Sequence, residues 1–163
     1  MSDKQRLVGL EFEPYSLDVE KGKIREFALA IGDYNPIYFE EDAAKKEGFE
    51  GIPIPFTFLQ VIDMWGGNSF DKKIRMLDLS RGRILHGEQD YEMFADIYAG
   101  NRLTVSSKVI NVQEKKGSLG AINLITTENT YTNQQDEKVV AISRNTLVEK
   151  LYKMGRRKLN ECH

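Results

Sequence analysis

Phe56-Thr-Phe-Leu-Gln-Val-Ile-Asp-Met-Trp65 is the stretch on which the fold turns. Phe58, Val61, Ile62 and Trp65 recur at helical spacing, and only Thr57, Gln60 and Asp63 interrupt the apolar run. A helix apolar over most of its circumference belongs inside a core. Gly66-Gly67 supplies a stop after it. Before it, Gly51-Ile-Pro-Ile-Pro55 alternates proline with apolar residues and reads as an extended lead-in.

Outward on the C-terminal side, residues Ile84 to Tyr98, Arg102 to Val112, Ser118 to Thr132 and Lys138 to Leu151 are rich in Val, Ile, Thr and Tyr. These are strand-forming compositions. Gly100-Asn101, Glu114 to Gly117 and Asn133 to Glu137 join them with turn-forming residues. Runs of this length exceed the usual globular strand, which predicts a strongly curved antiparallel sheet of four strands in meander. On the N-terminal side, Tyr15 to Val19 alternates as a strand. Ile24, Phe27, Ala28 and Ile31 then mark a helix ending at Gly32. A second short helix is expected from Glu40 to Glu47, closed by Gly48, while Asn68 to Gly82 reads as a basic loop or short helix. A curved sheet must have its concave face covered, and Phe56 to Trp65 is the segment apolar enough to do it. The predicted class is α+β, a long curved antiparallel sheet wrapped around a central apolar helix. One domain spans residues 1–163, with residues 153–163 a frayed basic tail.

At 163 residues, with 40% hydrophobic and 29% charged side chains, the chain has the composition of an ordinary globular domain. A net charge of -2 gives no global basic field, so nucleic acid is not expected as a partner. The lone cysteine, Cys162, permits no intrachain disulfide, which suits a reducing cytoplasm. No apolar run has the length of a signal peptide or a membrane helix, so a cytoplasmic protein without a membrane partner is expected. The two histidines, His86 and the terminal His163, with one terminal cysteine, form no metal-ligand pattern. Gly66-Gly67 and Gly117 to Gly120 fit neither phosphate-binding fingerprint, so no cofactor is expected.

A second stretch, Ile31-Gly-Asp-Tyr-Asn-Pro-Ile-Tyr38, sets a carboxylate, an amide and a phenol on a turn stiffened by Gly and Pro. Asp33, just past a helix end and beside an apolar helix, is a candidate for a partly desolvated acid. The plainer reading is a helix-end Asp bonded to nearby backbone. Asn35 suits a side chain that fixes the turn through backbone hydrogen bonds.

With these motifs in this order, the chain resembles the hot-dog fold of the MaoC-like dehydratases, or (R)-specific enoyl-thioester hydratases. The resemblance is closest to the FAS1-like dehydratase branch and runs from about Val8 to Val148. The family signature Gly-Asp-x-Asn-Pro-x-His reads here Gly32-Asp33-Tyr34-Asn35-Pro36-Ile37-Tyr38. Tyr38-Phe-Glu-Glu41, Gly48-Phe49, Pro55-Phe-Thr-Phe58, His86-Gly-Glu-Gln89 and Ala99-Gly100 are similar to the same branch. The resemblance implies reversible dehydration of (R)-3-hydroxyacyl thioesters, or hydration of trans-2-enoyl thioesters, carried by CoA or acyl carrier protein. It implies that the Asp and His share a water, and that the first amide of the central helix supports the enolate oxygen. Asp33 stands as the principal carboxylate.

Two positions depart from that pattern. Tyr38 replaces the His, and an unperturbed Tyr titrates near 10, too high for a base at neutral pH. Pro55 falls where the family has the Gly whose amide serves the oxyanion, and proline has no N–H. Phe56, Thr57, Phe58 and Leu59 are the remaining candidates for lining the acyl site, together with Asn35 and Pro55. Either His86 or Tyr38 is expected to take the missing histidine's place. His86 is the first place to look for a base, Tyr38 can serve as hydrogen-bond donor or weak acid, and Asp90 and Glu92 are expected on the His86 strand face. Lys72, Lys73, Arg75, Arg81 and Arg83 are candidates for coenzyme A phosphates or an acidic carrier protein. A homodimer, or a heterodimer with another hot-dog subunit, is expected from edge pairing. Two rival functions follow: a non-catalytic subunit shaping the acyl channel of an active partner, and an acyl-CoA thioesterase on the same fold.

Overall fold

The computed structural model describes residues 3–67, 70–117 and 120–151. The chain builds a five-stranded antiparallel sheet in the order β1-β3-β4-β5-β2. The strands are β1 (Glu11–Asp18), β2 (Ile84–Met93), β3 (Arg102–Gly117), β4 (Gly120–Asn133) and β5 (Lys138–Leu151). Among the described residues four α-helices accompany it: α1 (Lys21–Ala30), α2 (Glu41–Lys46), α3 (Leu59–Trp65) and α4 (Phe70–Met76). Gly32 and Gly48, each at positive φ, follow α1 and α2. The expected frayed tail lies outside the described residues.

The four-strand meander holds only for β3, β4 and β5. β2 pairs with β5 at the far edge, and β1 takes the place beside β3. The residues after β2 do not turn straight back. The Phe94 and Ala95 amides still bond the Val140 carbonyl of β5, and Ile97 to Ala99 then run against the lead-in to the central helix through a Pro53–Tyr98 bridge. The Ile54 amide bonds the Ile97 carbonyl and the Ala99 amide the Ile52 carbonyl, each at 2.9 Å. With its neighbouring backbone committed there, β2 is free to close the opposite side of the sheet.

The central segment opens with a 3₁₀ turn at Phe56–Phe58 and continues as α3. Phe58, Leu59 and Ile62 are sealed against Ile24, Leu103, Val105 and Tyr131, and Phe27 meets Phe58 edge to face at 5.6 Å. Each such side chain contributes about 1.5–3 kcal/mol by leaving water. The segment is not buried all round, however. Phe56, Met64 and Trp65 are 71%, 68% and 76% exposed, although Trp65 shares the helical spacing of the buried residues. A helix of seven residues covers the sheet with one face and leaves the other uncovered. A second apolar cluster, of Leu7, Phe12, Leu77, Val109, Val112 and Ile125, fills the opposite end of the sheet.

Between the two clusters the inner face of the sheet turns polar. One cross-strand row is Gln89, Asn145 and Thr127; the next is Tyr91, Ser143, Asn129 and Ser107. Apolar rows flank this band, with Met93, Ala141, Tyr131 and Val105 on one side and Leu147, Ile125 and Val112 on the other. Because strand side chains alternate, a single register sets every one of these rows on the same face.

Candidate functional site

The turn after α1 brings Asp33, Asn35 and Tyr38 together. Gly32 takes φ +75°, a backbone few other residues adopt, and lets the chain leave the helix sharply. Asp33 Oδ1 then accepts the Asn35 amide at 3.0 Å, and Asn35 Oδ1 accepts the Ile37 amide at 3.2 Å. Asn35 thereby caps the 3₁₀ turn Pro36–Tyr38, and Pro36 supplies the fixed φ at its start. Tyr38 packs against the main apolar cluster. Burial, reinforced by the Asp33 charge, holds its phenol above its ordinary value of 10.0. A phenol so placed keeps its proton at neutral pH and acts as a hydrogen-bond donor.

The other predicted residues lie elsewhere. Pro55 is buried as the cap of the Phe56–Phe58 turn, and its nitrogen carries no hydrogen. The amides of Phe56 and Thr57 open the helical segment, where first-turn N–H groups have no intrahelical acceptor. Thr57 is exposed, as is Phe56, whereas Phe58 and Leu59 are packed within the core. The basic residues disperse: Lys72 pairs with Glu13 at 3.0 Å, Arg81 pairs with Asp71, and Lys73 faces inward.

His86 lies apart from the Asp33 turn. It lines a cavity of about 330 Å³ between α3, α4 and the polar band of the sheet; Asp33 is not among its lining residues. A bulge at Gly87 puts His86 opposite Leu147 but Glu88 opposite Thr146 and Gln89 opposite Asn145. His86 and Gln89, an odd number of residues apart, therefore both reach the cavity. The same bulge overturns the expectation that Asp90 and Glu92 accompany His86. Both carboxylates meet Arg144 Nη1, at 3.1 and 3.3 Å, in a cluster that also holds Glu128.

Asp63 is the centre of this cavity. Its Oδ1 accepts the hydroxyls of Tyr131 at 2.7 Å and Tyr15 at 3.1 Å, and its Oδ2 accepts Asn129 Nδ2 at 2.9 Å. Tyr131 spends its one proton on Asp63, so Ser143 Oγ, 2.9 Å away, donates to the phenol oxygen. Burial raises the Asp63 pKa above the ordinary carboxylate value; Tyr131, Lys73, Tyr15 and Asn129 oppose the shift. Burial and the Asp63 charge in turn push the Tyr15 and Tyr131 phenols well up. Gly66 and Gly67 do more than stop α3. A Cβ on either would come within 2.7 Å of the Tyr15 ring, so their bareness lets that ring lie against the helix end. The signal for Asp63 was Gln60 and Asp63 themselves, three residues apart on one side of an otherwise apolar helix. Asn129, Ser143 and Asn145 carried no comparable signal.

The family described as FAS1-like, dehydratase domain region, matches residues 6–142. A UPF0336 protein of Streptomyces avermitilis is 34% identical over 119 residues, which are 72% of this chain and 79% of that protein. Among solved structures, the C-terminally truncated HadBC (3R-hydroxyacyl-ACP dehydratase) complex of Mycobacterium tuberculosis superposes with a TM-score of 0.74 at 24% identity. That match covers 87% of this chain and 96% of the other. The ChsH1-ChsH2 complex of the same organism gives 0.73 at 22% identity, covering 94% and 95%. With the family match over residues 6–142 and the likeness of fold, this chain belongs to the FAS1-like dehydratase family, with the hot-dog fold of the MaoC-like dehydratases.

Proposed function

We propose that this chain is the acyl-thioester-binding subunit of a two-chain hydro-lyase. The enzyme interconverts (R)-3-hydroxyacyl and trans-2-enoyl thioesters of CoA or acyl carrier protein. A second hot-dog chain supplies the proton-transferring histidine. The observation that carries this reading is Tyr38: a phenol held above 10 donates a hydrogen bond but takes no proton from water at neutral pH. Pro55, without an N–H at the start of the central helix, points the same way. The exposed Phe56 and Trp65, at the two ends of the central segment, support a protein partner. Among proteins of this fold, HadBC and ChsH1-ChsH2 are two-chain complexes, which supports the same division of labour.

A second reading is an enzyme complete in one chain type, with Asp33 as base and Tyr38 as donor. It draws on their proximity across the turn. Crotonyl-CoA hydration by the purified chain separates the two. The subunit reading expects no turnover above background. Turnover that Asp33→Asn lowers by about 10²–10⁴-fold establishes the second reading instead. Release of free thiol from crotonyl-CoA would point to a thioesterase.

A further inference from the structure

A channel meant for plain hydrocarbon has no use for a polar wall, because buried amides and hydroxyls cost free energy unless hydrogen bonds satisfy them. The cavity behind α3 nonetheless presents Asp63, Gln89, Thr127, Asn129 and Asn145 beside apolar residues such as Phe12 and Leu147. Asp63, Asn129, Asn145 and Gln89 bond to one another or to their neighbours. Two of the buried atoms, Asn129 Oδ1 and Gln89 Nε2, have no hydrogen-bond partner among the described residues, and Asn129 is only 4% exposed. Neighbouring bonds fix which atom is left over. Asn129 gives its nitrogen to Asp63 at 2.9 Å, leaving its oxygen free to accept. Gln89 takes the Asn145 amide on its oxygen at 2.8 Å, leaving its nitrogen free to donate.

One free acceptor and one free donor therefore sit on adjacent rows of the same sheet face, in a cavity of ligand size. Asp63 and Lys73 both line it, so charges of either sign are already answered and a neutral guest is favoured. A hydroxyl donates and accepts alike, and methylenes suit Phe12 and Leu147. We infer that this cavity binds a neutral hydroxylated aliphatic chain, its hydroxyls paired with Asn129 Oδ1 and Gln89 Nε2. Resting on the acyl-thioester reading above, the acyl group taken by this chain carries a hydroxyl in the part that reaches behind α3.

The test compares 6-hydroxyhexanoyl-pantetheine, hexanoyl-pantetheine and free hexane-1,6-diol on the full chain. Calorimetry reads affinity, and nitrogen-15 spectra read the side-chain amides of Asn129 and Gln89. The hydroxylated thioester is expected to bind about tenfold tighter than the plain one, the worth of a satisfied buried hydrogen bond, and to shift both amides. Gln89→Glu keeps the oxygen that Asn145 bonds and removes the donor. It is expected to abolish the preference, with a thermal melt showing that it folds. Equal affinity for the two thioesters with unmoved amide signals overturns the cavity inference and leaves the acyl reading standing. Amide shifts with the diol, but no binding of either thioester, keep the cavity site and overturn the acyl reading. No response to any probe overturns both.

Discussion

At Asp63, burial and hydrogen bonding pull in opposite directions. Removal from water raises the carboxyl above its ordinary value of 3.8, while donors from Tyr131, Tyr15 and Asn129 and the charge of Lys73 draw it back without cancelling the shift. The folded chain then holds the Asp63 proton over a pH range in which the unfolded chain has lost it. This contribution is fully present below about pH 4 and is lost as pH rises through the folded value, with a slope of at most about 1.4 kcal/mol per pH unit. Asp63→Asn is expected to remove that slope. The new amide oxygen accepts both tyrosines, and its nitrogen meets an Asn129 side chain whose oxygen is free to turn towards it. Urea denaturation of both proteins across the acidic range checks this, and parallel stability curves would contradict it. The same residue was legible in the sequence as one of few polar positions in an apolar helix. Asn129 and Ser143 were not, because both faces of β4 and β5 carry polar side chains and the period-two pattern cannot choose between them.

Among the elements, local pattern was enough for α1, α2 and α3 but left α4 open between a loop and a short helix. The 3.6-residue spacing gave α1 and α3, and glycines gave the ends of α1 and α2. The long strands β3, β4 and β5 were legible from composition, although Glu114 to Gly117, expected as a turn, continues β3 and pairs with β4. The place of β2 was not legible, since it depends on the pairing of Ile97 to Ala99 with the lead-in to the central helix, a contact between distant segments. The bulge at Gly87 was equally hidden, and it decides that His86 and Gln89 share the cavity. A Cβ at position 87 would stand 2.9 Å from the Thr146 carbonyl oxygen and 2.9 Å from Val148 Cγ2. Backbone cannot yield there cheaply. Gly87→Ala is therefore expected to cost about 1–3 kcal/mol by overpacking. Denaturant titration measures that cost, and a loss below about 0.5 kcal/mol would show that the bulge is not held this tightly.

For the whole molecule, one side of the central helix is left open. Phe56, Met64 and Trp65 stand exposed, and β1 and β2 end the sheet with unpaired edges. The Asp33 turn and the cavity behind α3 are separate features of the chain, one carrying the motif that identifies the family and the other the polar groups that the motif does not predict. A subunit that binds the acyl group while another chain moves the proton accommodates both. The most direct measurement titrates this chain into a hot-dog chain that carries an intact Gly-Asp-x-Asn-Pro-x-His motif and follows crotonyl-CoA hydration. The account predicts a rate that peaks at equal amounts of the two chains. It predicts that replacing the second chain's motif His by Ala lowers this rate by about 10²–10⁴-fold, whereas Asp33→Asn here changes it by less than about tenfold. A rate abolished by Asp33→Asn and indifferent to the second chain's His would contradict it.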